Sequence, residues 1–458
     1  MAKRKIAIDY NSNIPIGVVS SDPYNFLLFD KLFDDFRIVT PTKQQWLNDL
    51  PLKAQVSSLD LLKLKTGENV SKYVATRRFI DLFKNDSRRK YVMYSPLDPP
   101  YKINPLAYLM NSPTIAHAYE NKRYFRDEFS DLIKVPEYEI KYMNELDRAA
   151  SFPDLKERFG GSFMLQDEES SGSKGTYAIH NLEDYVQAVK SLKKFSQGRT
   201  IVASEFIHGE ISSIQVCITK YGIFSGGIQR QLVDSKHLCN TSIAGATRWC
   251  GGEIGANYPD IVQHRAQEIA SVIGSELASH GYKGVFGVDL IVTPEHEVYA
   301  IEINARMTGY THIISEMQYM AGKIPFSLLH VLELGNFKYE VTDPEALPSG
   351  ARYKKPGSLL ILNSQVDDDF VLKKQITPGL YKLDGDKVTF VKSTFMLDAV
   401  KTDDMMLIFC RHNEGDVIEK GRRVLKIMKL GKTMSKGDVS PKAQNLIKAV
   451  KNTFDIPG

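Results

Sequence analysis

Residues Gly287–Arg306 read GVDLIVTPEHEVYAIEINAR, and the pattern of this stretch decides the architecture. Two apolar runs flank Pro294-Glu295-His296-Glu297, a natural four-residue hairpin loop. That loop sets Thr293 opposite Val298, Asp289 opposite Glu302 and Gly287 opposite Asn304. Residues two apart in a strand share a face. Glu302, Asn304 and Arg306 therefore point the same way, beside Asp289. The other face carries Val288, Leu290, Val292, Tyr299, Ile301 and Ile303, which suits a buried core. Like charges facing each other across strands are destabilising, and a cation between them relieves that cost. Oxygen ligands in this number suit Mg²⁺, which is usually held by one or two carboxylates plus substrate phosphates. A solvated face with ordinary charges is the plainer reading. It does not explain why an Asn and an Arg share the face with both acids.

Upstream, Phe163–Ile179 reads FMLQDEESSGSKGTYAI, a strand, a small-residue loop and a second strand. Gly172 and Gly175 allow backbone N–H groups to turn inward around phosphate oxygens, and Ser173, Lys174 and Thr176 add donors. The spacing is not that of a Walker A loop, and alone the loop reads equally as a hairpin tip. Ile201–Ile214, IVASEFIHGEISSI, runs from a strand into Glu205-Phe206-Ile207, then Gly209-Glu210, then another strand. Such a hinge can offer an apolar wall and backbone groups to a flat base, with a carboxylate beyond it for ribose hydroxyls. Asn121-Lys122-Arg123 opens a helical stretch that ends near Pro136.

The flanks differ in texture. Lys5–Ile8, Arg37–Val39 and Tyr91–Tyr94 read as strands, with helices in Ser20–Phe33 and Val70–Leu82, so residues 1–120 suggest an α/β domain. No glycine-rich dinucleotide fingerprint follows the first strand. Beyond residue 350, Ser358–Leu362, Lys387–Val391, Met405–Cys410 and Val424–Lys429 are short β-rich runs, closed by a helix over Pro441–Phe454. Pro356-Gly357 reads as a linker.

The chain has 458 residues, 43% hydrophobic and 25% charged, ordinary for a protein of two to four domains. A net charge of +4 with scattered basic residues argues against nucleic acid as a partner. Cys217, Cys239, Cys250 and Cys410 form no CxxC pair and read as reduced thiols. No signal-peptide core and no apolar run of membrane length is present, so a cytoplasmic protein without membrane contact is expected.

In this order and spacing the pieces resemble the ATP-grasp superfamily, over about residues 115–335. Asn121-Lys122, the SSGSKGT loop, Glu205-Phe206-Ile207, and Asp289 with Glu302-Ile303-Asn304-Ala305-Arg306 match the family's motifs. The resemblance implies an α/β ATP-grasp fold. It places an N-terminal domain over 1–120 and an ATP-grasp domain over 121–340, with a lid of about 136–207 and a metal-binding part of about 208–340. A small, mostly-β domain with a terminal helix follows over 350–458. By the resemblance, Lys122, Gln166, Gly172, Ser173, Lys174, Gly175 and Thr176 hold the triphosphate. Glu205, Phe206 and Ile207 hold the base, and Glu210 the ribose, with a one-residue slip. Asp289, Glu302 and Asn304 hold Mg²⁺, or Mn²⁺, and Arg306 is catalytic. One position departs from the pattern: many members carry a second phosphate-binding lysine where this chain has Gln166, and Lys174 can compensate.

The activity implied is an ADP-forming carboxylate–amine ligase that makes an amide or peptide bond through an acyl phosphate, on small molecules such as amino acids or peptides. A homodimer is compatible with this. Between hinge and hairpin, Arg230, Lys236 and Arg248 are candidates for phosphate or substrate carboxylate, Trp249 for a pocket wall or for packing, and His312 for a substrate contact. A carboxylase-type or purine-pathway ATP-grasp enzyme and a non-catalytic ATP-binding module are the competing readings. The intact acid–amide–guanidinium set weighs against the last.

Overall fold

The computed structural model describes residues 6–60, 74–98, 104–148, 150–169, 175–196, 199–242, 248–350, 353 and 355–458. Its N-terminal part is a parallel sheet in the order Gln55–Ser58, Phe36–Thr40, Ile16–Val19, Lys90–Val92, Tyr108–Leu109. The central strand, IGVV, is buried along its whole length, as a parallel strand covered on both faces must be. Gly17 is needed there, because a Cβ would lie 2.6 Å from the Tyr91 ring.

Two expectations fail in this region. The strand expected at Lys5–Ile8 is instead Ile8–Tyr10, and it leaves the sheet to pair with Tyr339–Val341. Asn11, Ser12 and Asn13 turn the chain before the true first strand of the sheet, Ile16–Val19. The helix expected over Ser20–Phe33 is broken into a 3₁₀ turn, Pro23–Phe26, and a single α-turn, Phe29–Leu32. Phe26, Phe29 and Phe33 all enter the core, and Pro23 fixes the start of the first turn. Of the helix expected at Val70–Leu82, Arg77–Asn85 is helical and residues 70–73 lie outside the described residues.

The middle of the chain folds a four-stranded antiparallel sheet in the order Tyr138–Tyr142, Thr200–Glu205, Phe163–Asp167, Thr176–Ile179. The helix Leu182–Phe195 covers it, its first turn capped by the Asn181 side chain. A sheet of eleven strands among the described residues follows. It begins at Val298–Asn304 and passes through Gly284–Val292, Glu210–Thr219, Gln229–Val233 and Trp249–Ile254. It continues into Gly357–Asn363, Arg423–Leu430, Met405–Cys410, Gly379–Asp384 and Lys387–Lys392, and the eleventh strand, Gly222–Ser225, pairs with Glu210–Thr219 off this path.

Pro356-Gly357 is therefore no linker. Gly357 opens a strand that pairs with Ile254 on one side and Leu430 on the other. The junction depends on a close backbone approach: Gly251 has φ +98°, and a Cβ there would stand 2.0 Å from the Leu359 carbonyl oxygen. The helices Asp260–Ser279 and Pro441–Phe454 pack on this sheet. No described helix is long and apolar enough to cross a membrane.

Candidate active site

Asp289 does face Glu302, and Gly287 faces Asn304, but by a different route from the one the loop suggested. The hairpin closes one residue tighter than expected, with Val292 opposite Val298 and Leu290 opposite Ala300. A bulge between Asp289 and Leu290 then takes up Ile301 and restores the pairing of the acids. The two departures cancel on the polar face. They do not cancel on the apolar face: Val298 and Ala300 are buried, whereas Tyr299 and Ile301, expected in the core, are only half-buried. Val288, Leu290 and Ile303 are buried in the core shared with the helix Asp260–Ser279. Each such aliphatic side chain contributes about 1.5–3 kcal/mol relative to exposure, so the hairpin that carries the acids is rigid. Arg126, itself buried, donates to the Ile301 carbonyl at 2.5 Å and so satisfies the group the bulge leaves unpaired. Burial pulls the Arg126 guanidinium down to about 10.

The polar face is a connected network. Gln231 donates to Asp289 at 2.9 Å, and Asn304 donates to the other Asp289 oxygen at 3.1 Å. Arg306 donates to the Asn304 oxygen at 2.7 Å and pairs with Glu120 at 3.2 Å. Lys122 lies 3.3 Å from Glu302. Burial, and next the Glu302 charge, push the Asp289 carboxyl up to about 7. Burial also acts to raise Glu302, but the Lys122 ammonium outweighs it and holds that carboxyl below its usual range. Two acids that cannot both ionise comfortably are a site short of positive charge, which is the condition a divalent cation meets. No group of three or more His, Cys, Asp or Glu side chains placed for a metal occurs among the described residues. The acidic ligands are thus two, and the Asn304 oxygen, which accepts from Arg306, keeps a second lone pair for a cation.

Lys122 begins the helix Lys122–Phe129, capped by the Asn121 side chain. Its backbone N–H donates to the Glu168 carbonyl at 2.8 Å, which ties this helix start to the end of the strand carrying Gln166. Gln166 is buried and pairs with Val202 and Thr176 on either side. Gly172, Ser173 and Lys174 lie outside the described residues. Gly175 has φ +75° and Thr176 starts the returning strand.

The Glu205 carboxylate accepts the Glu137 backbone N–H at 2.9 Å, pinning the hinge to the neighbouring strand's entry. Phe206 and Ile207 follow it directly, and the Phe206 ring stands edge-on to His180 and His208. Glu210 is clamped by Arg230 at 2.9 Å and by the Tyr258 hydroxyl at 3.0 Å. A cavity of about 370 Å³ opens here, lined by Gly209, Glu210, Arg230, Tyr258 and the loop Thr293–His296.

Other candidates fall away from the cluster. Arg248 donates to the Gly421 carbonyl at 2.5 Å, and Trp249 packs edge-on against Tyr310 at 5.0 Å. The Lys236 carbonyl accepts from Gln365. Glu120, Arg126 and Gln231 escaped the sequence reading. Each is joined to the hairpin by a contact with a segment remote in the chain, and no local pattern marks them.

Residues 119–310 match the family model of the ATP-grasp domain. No curated protein sequence matches the chain. Solved structures similar in fold include the L-amino acid ligase of Bacillus licheniformis, at 14% identity and a TM-score of 0.56, covering 92% of this chain and 94% of that one. The phosphoribosylamine–glycine ligase of Thermotoga maritima is 14% identical with a TM-score of 0.57, covering 95% and 96%. The biotin carboxylase domain of the Hydrogenobacter thermophilus 2-oxoglutarate carboxylase, in complex with MgADP, ADP and bicarbonate, is 10% identical with a TM-score of 0.58, covering 91% and 86%. Over residues 119–310 the chain is similar to the ATP-grasp domain, and it has the α/β fold seen in the ATP-grasp ligases and carboxylases.

Proposed function

We propose that this protein is an ADP-forming ligase that joins a carboxylate to an amine, with an amino acid or peptide as substrate. The observation that carries the reading is the facing pair Asp289–Glu302, with Lys122 on one side and Arg306 on the other, inside an ATP-grasp domain. In this reading residues 121–340 bind nucleotide, the part over 136–207 closes as a lid, and 1–120 and 350–458 flank them.

The reaction asks for positioning and charge neutralisation more than for covalent chemistry. A substrate carboxylate oxygen bonds to the γ-phosphorus of ATP as the bond from phosphorus to the bridging oxygen breaks, and ADP leaves. An amine then bonds to the acyl carbon, phosphate departs, and the nitrogen gives up a proton. Asp289, Glu302 and Asn304 would hold Mg²⁺, or Mn²⁺, which neutralises phosphate charge when bound. Lys122 offers an ammonium that is already oriented by Glu302. Arg306, fixed by Asn304 and Glu120, is preorganised toward the transferring phosphoryl group or the tetrahedral acyl centre, where charge develops. Gln166 and the loop through Thr176 hold the triphosphate, Glu205–Ile207 the base and Glu210 the ribose.

The test is ATP turnover with Mg²⁺ against a panel of amino acids and dipeptides, resolving ADP from AMP. ADP and phosphate released only with particular amino acids support the ligase. Release driven by bicarbonate alone would replace it with a carboxylase-type enzyme. Binding of ATP without release under any acid would leave a non-catalytic module.

A further inference from the structure

The parallel N-terminal sheet reverses its strand order between Ile16–Val19 and Lys90–Val92: the strands that follow the first lie on one side of it, and Lys90–Val92 and Tyr108–Leu109 lie on the other. Such a switch point leaves a crevice outside the carboxyl ends of the two strands, where ligands of open α/β sheets bind. Asp22 follows the first of these strands and Tyr94 the second. The neighbouring strands Met405–Cys410 and Arg423–Leu430 of the eleven-stranded sheet bring three cations to this crevice. Arg411 pairs with Asp22 at 3.2 Å and Arg423 with the other Asp22 oxygen at 2.7 Å. Lys426, buried, reaches the Asn25 side-chain oxygen at 2.8 Å and lies over the Tyr24 ring.

Three cations against one carboxylate is an imbalance that folding alone does not favour. Burial, Arg423 and Arg411 hold the Lys426 ammonium well below its usual range, with Asp22 acting the other way. His312 faces the same group from the helix Thr311–Met320. Only 4% of it is exposed, and neither ring nitrogen has a regular hydrogen-bond partner. The Nε atom of Arg423 is also buried without one. Tyr94 lies within electrostatic reach of both Arg306 and Arg423, so the crevice adjoins the proposed reaction centre.

We propose that Arg411, Arg423, Lys426 and His312 form a recognition pocket for an oxyanion, a carboxylate or phosphate group carried by the substrate that is joined at Arg306. The pocket names the chemistry of a substrate for the ligase reading and rests on that reading for its link to turnover. Two guanidiniums and an ammonium offer forked and single donors to the oxygens of such a group, and the neutral imidazole adds a donor. Asp22 keeps the arginines apart and aimed until the anion arrives.

The test is thermal unfolding of the full chain with inorganic phosphate or acetate, against chloride at the same ionic strength, for wild type, Lys426→Met and Asp22→Asn. The expected result is a rise in Tm with phosphate, with acetate, or with both. The responding anion identifies the group. Lys426→Met should keep or raise the Tm without anion, because it removes an uncompensated buried charge, and should weaken the anion response roughly tenfold in concentration. Asp22→Asn should strengthen the anion response. A cluster that only fastens the two ends of the chain together would give the opposite: a lower Tm for Lys426→Met and no anion-specific shift in any variant. Those results would overturn the pocket. An anion shift without any ATP turnover would instead count against the ligase and leave the pocket standing.

Discussion

Lys122, in the first turn of its helix, and Glu302, in the edge strand of the eleven-stranded sheet, stand 3.3 Å apart with the lysine almost fully buried. In the proposed reaction this pair supplies a cation and an anion where ATP phosphates and a metal would meet. Glu302→Ala should therefore abolish ATP turnover, by roughly a hundredfold or more, while far-UV circular dichroism stays that of the folded protein. Turnover at the wild-type rate would remove Glu302 from the site.

Arg306 is held at both ends, by Asn304 and by Glu120; in the proposed reaction it would meet phosphoryl or acyl oxygen only as charge develops there. Arg306→Ala should lower kcat by two orders of magnitude or so and change the nucleotide Kd by less than about threefold. Calorimetry beside steady-state kinetics decides it: equal losses in both would make Arg306 a binding residue.

Glu210 spends one carboxylate oxygen on Arg230 and Tyr258 and lines the cavity at the hinge. If it receives the ribose, Glu210→Gln should raise the KM for ATP by about tenfold, the scale of one charge-assisted hydrogen bond. It should also narrow the preference for ATP over deoxy-ATP. An unchanged preference would assign Glu210 to the Arg230–Tyr258 clamp alone.

Glu316 is buried on the helix Thr311–Met320, and its carboxylate accepts the Leu397 backbone N–H at 2.8 Å. Burial pushes this carboxyl up to about 8. The folded state thus favours the protonated form. Its stabilising effect is complete below about pH 4.5, the ordinary value, and is lost as the pH rises through 8. Glu316→Gln should remove this loss. The variant should match wild type near pH 5 and be more stable at pH 9, by an amount set by the tenfold steps in proton affinity between folded and unfolded chain, ~1.4 kcal/mol each. Parallel Tm–pH curves for the two proteins would refute it.

Gly251 brings its strand against Leu359 in a backbone conformation that L side chains rarely adopt. Gly251→Ala should cost about 3 kcal/mol or more, from strain and overlap together. Denaturant unfolding measures it, and a loss below about 1 kcal/mol would show that the strand junction yields.

Much of the architecture was legible because it is written in short-range patterns. The strands Met405–Cys410 and Phe163–Asp167 and the helix Pro441–Phe454 announce themselves by period, turn residues and caps. The N-terminal region was not. There Pro23 and three core phenylalanines break what looks like one helix, and tertiary burial outweighs local propensity.

The sequence by itself determined that Glu302, Asn304 and Arg306 share one face, because residues two apart along a strand leave little choice, whereas Asp289 reaches its place opposite Glu302 through a register shift and a bulge that cancel. Only the tertiary structure decided the rest. It set the Ile301 bulge that carries the pairing, and with it the burial of Val298 and Ala300 in place of Tyr299 and Ile301. It brought Gln231, Lys122 and Glu120 to the acids and the guanidinium, and it laid Arg411, Arg423 and Lys426 over Asp22. The reason is physical. A strand's own period fixes which side chains share a face, but ion pairs between distant segments are set by how whole sheets dock, and nothing in the local sequence encodes that docking.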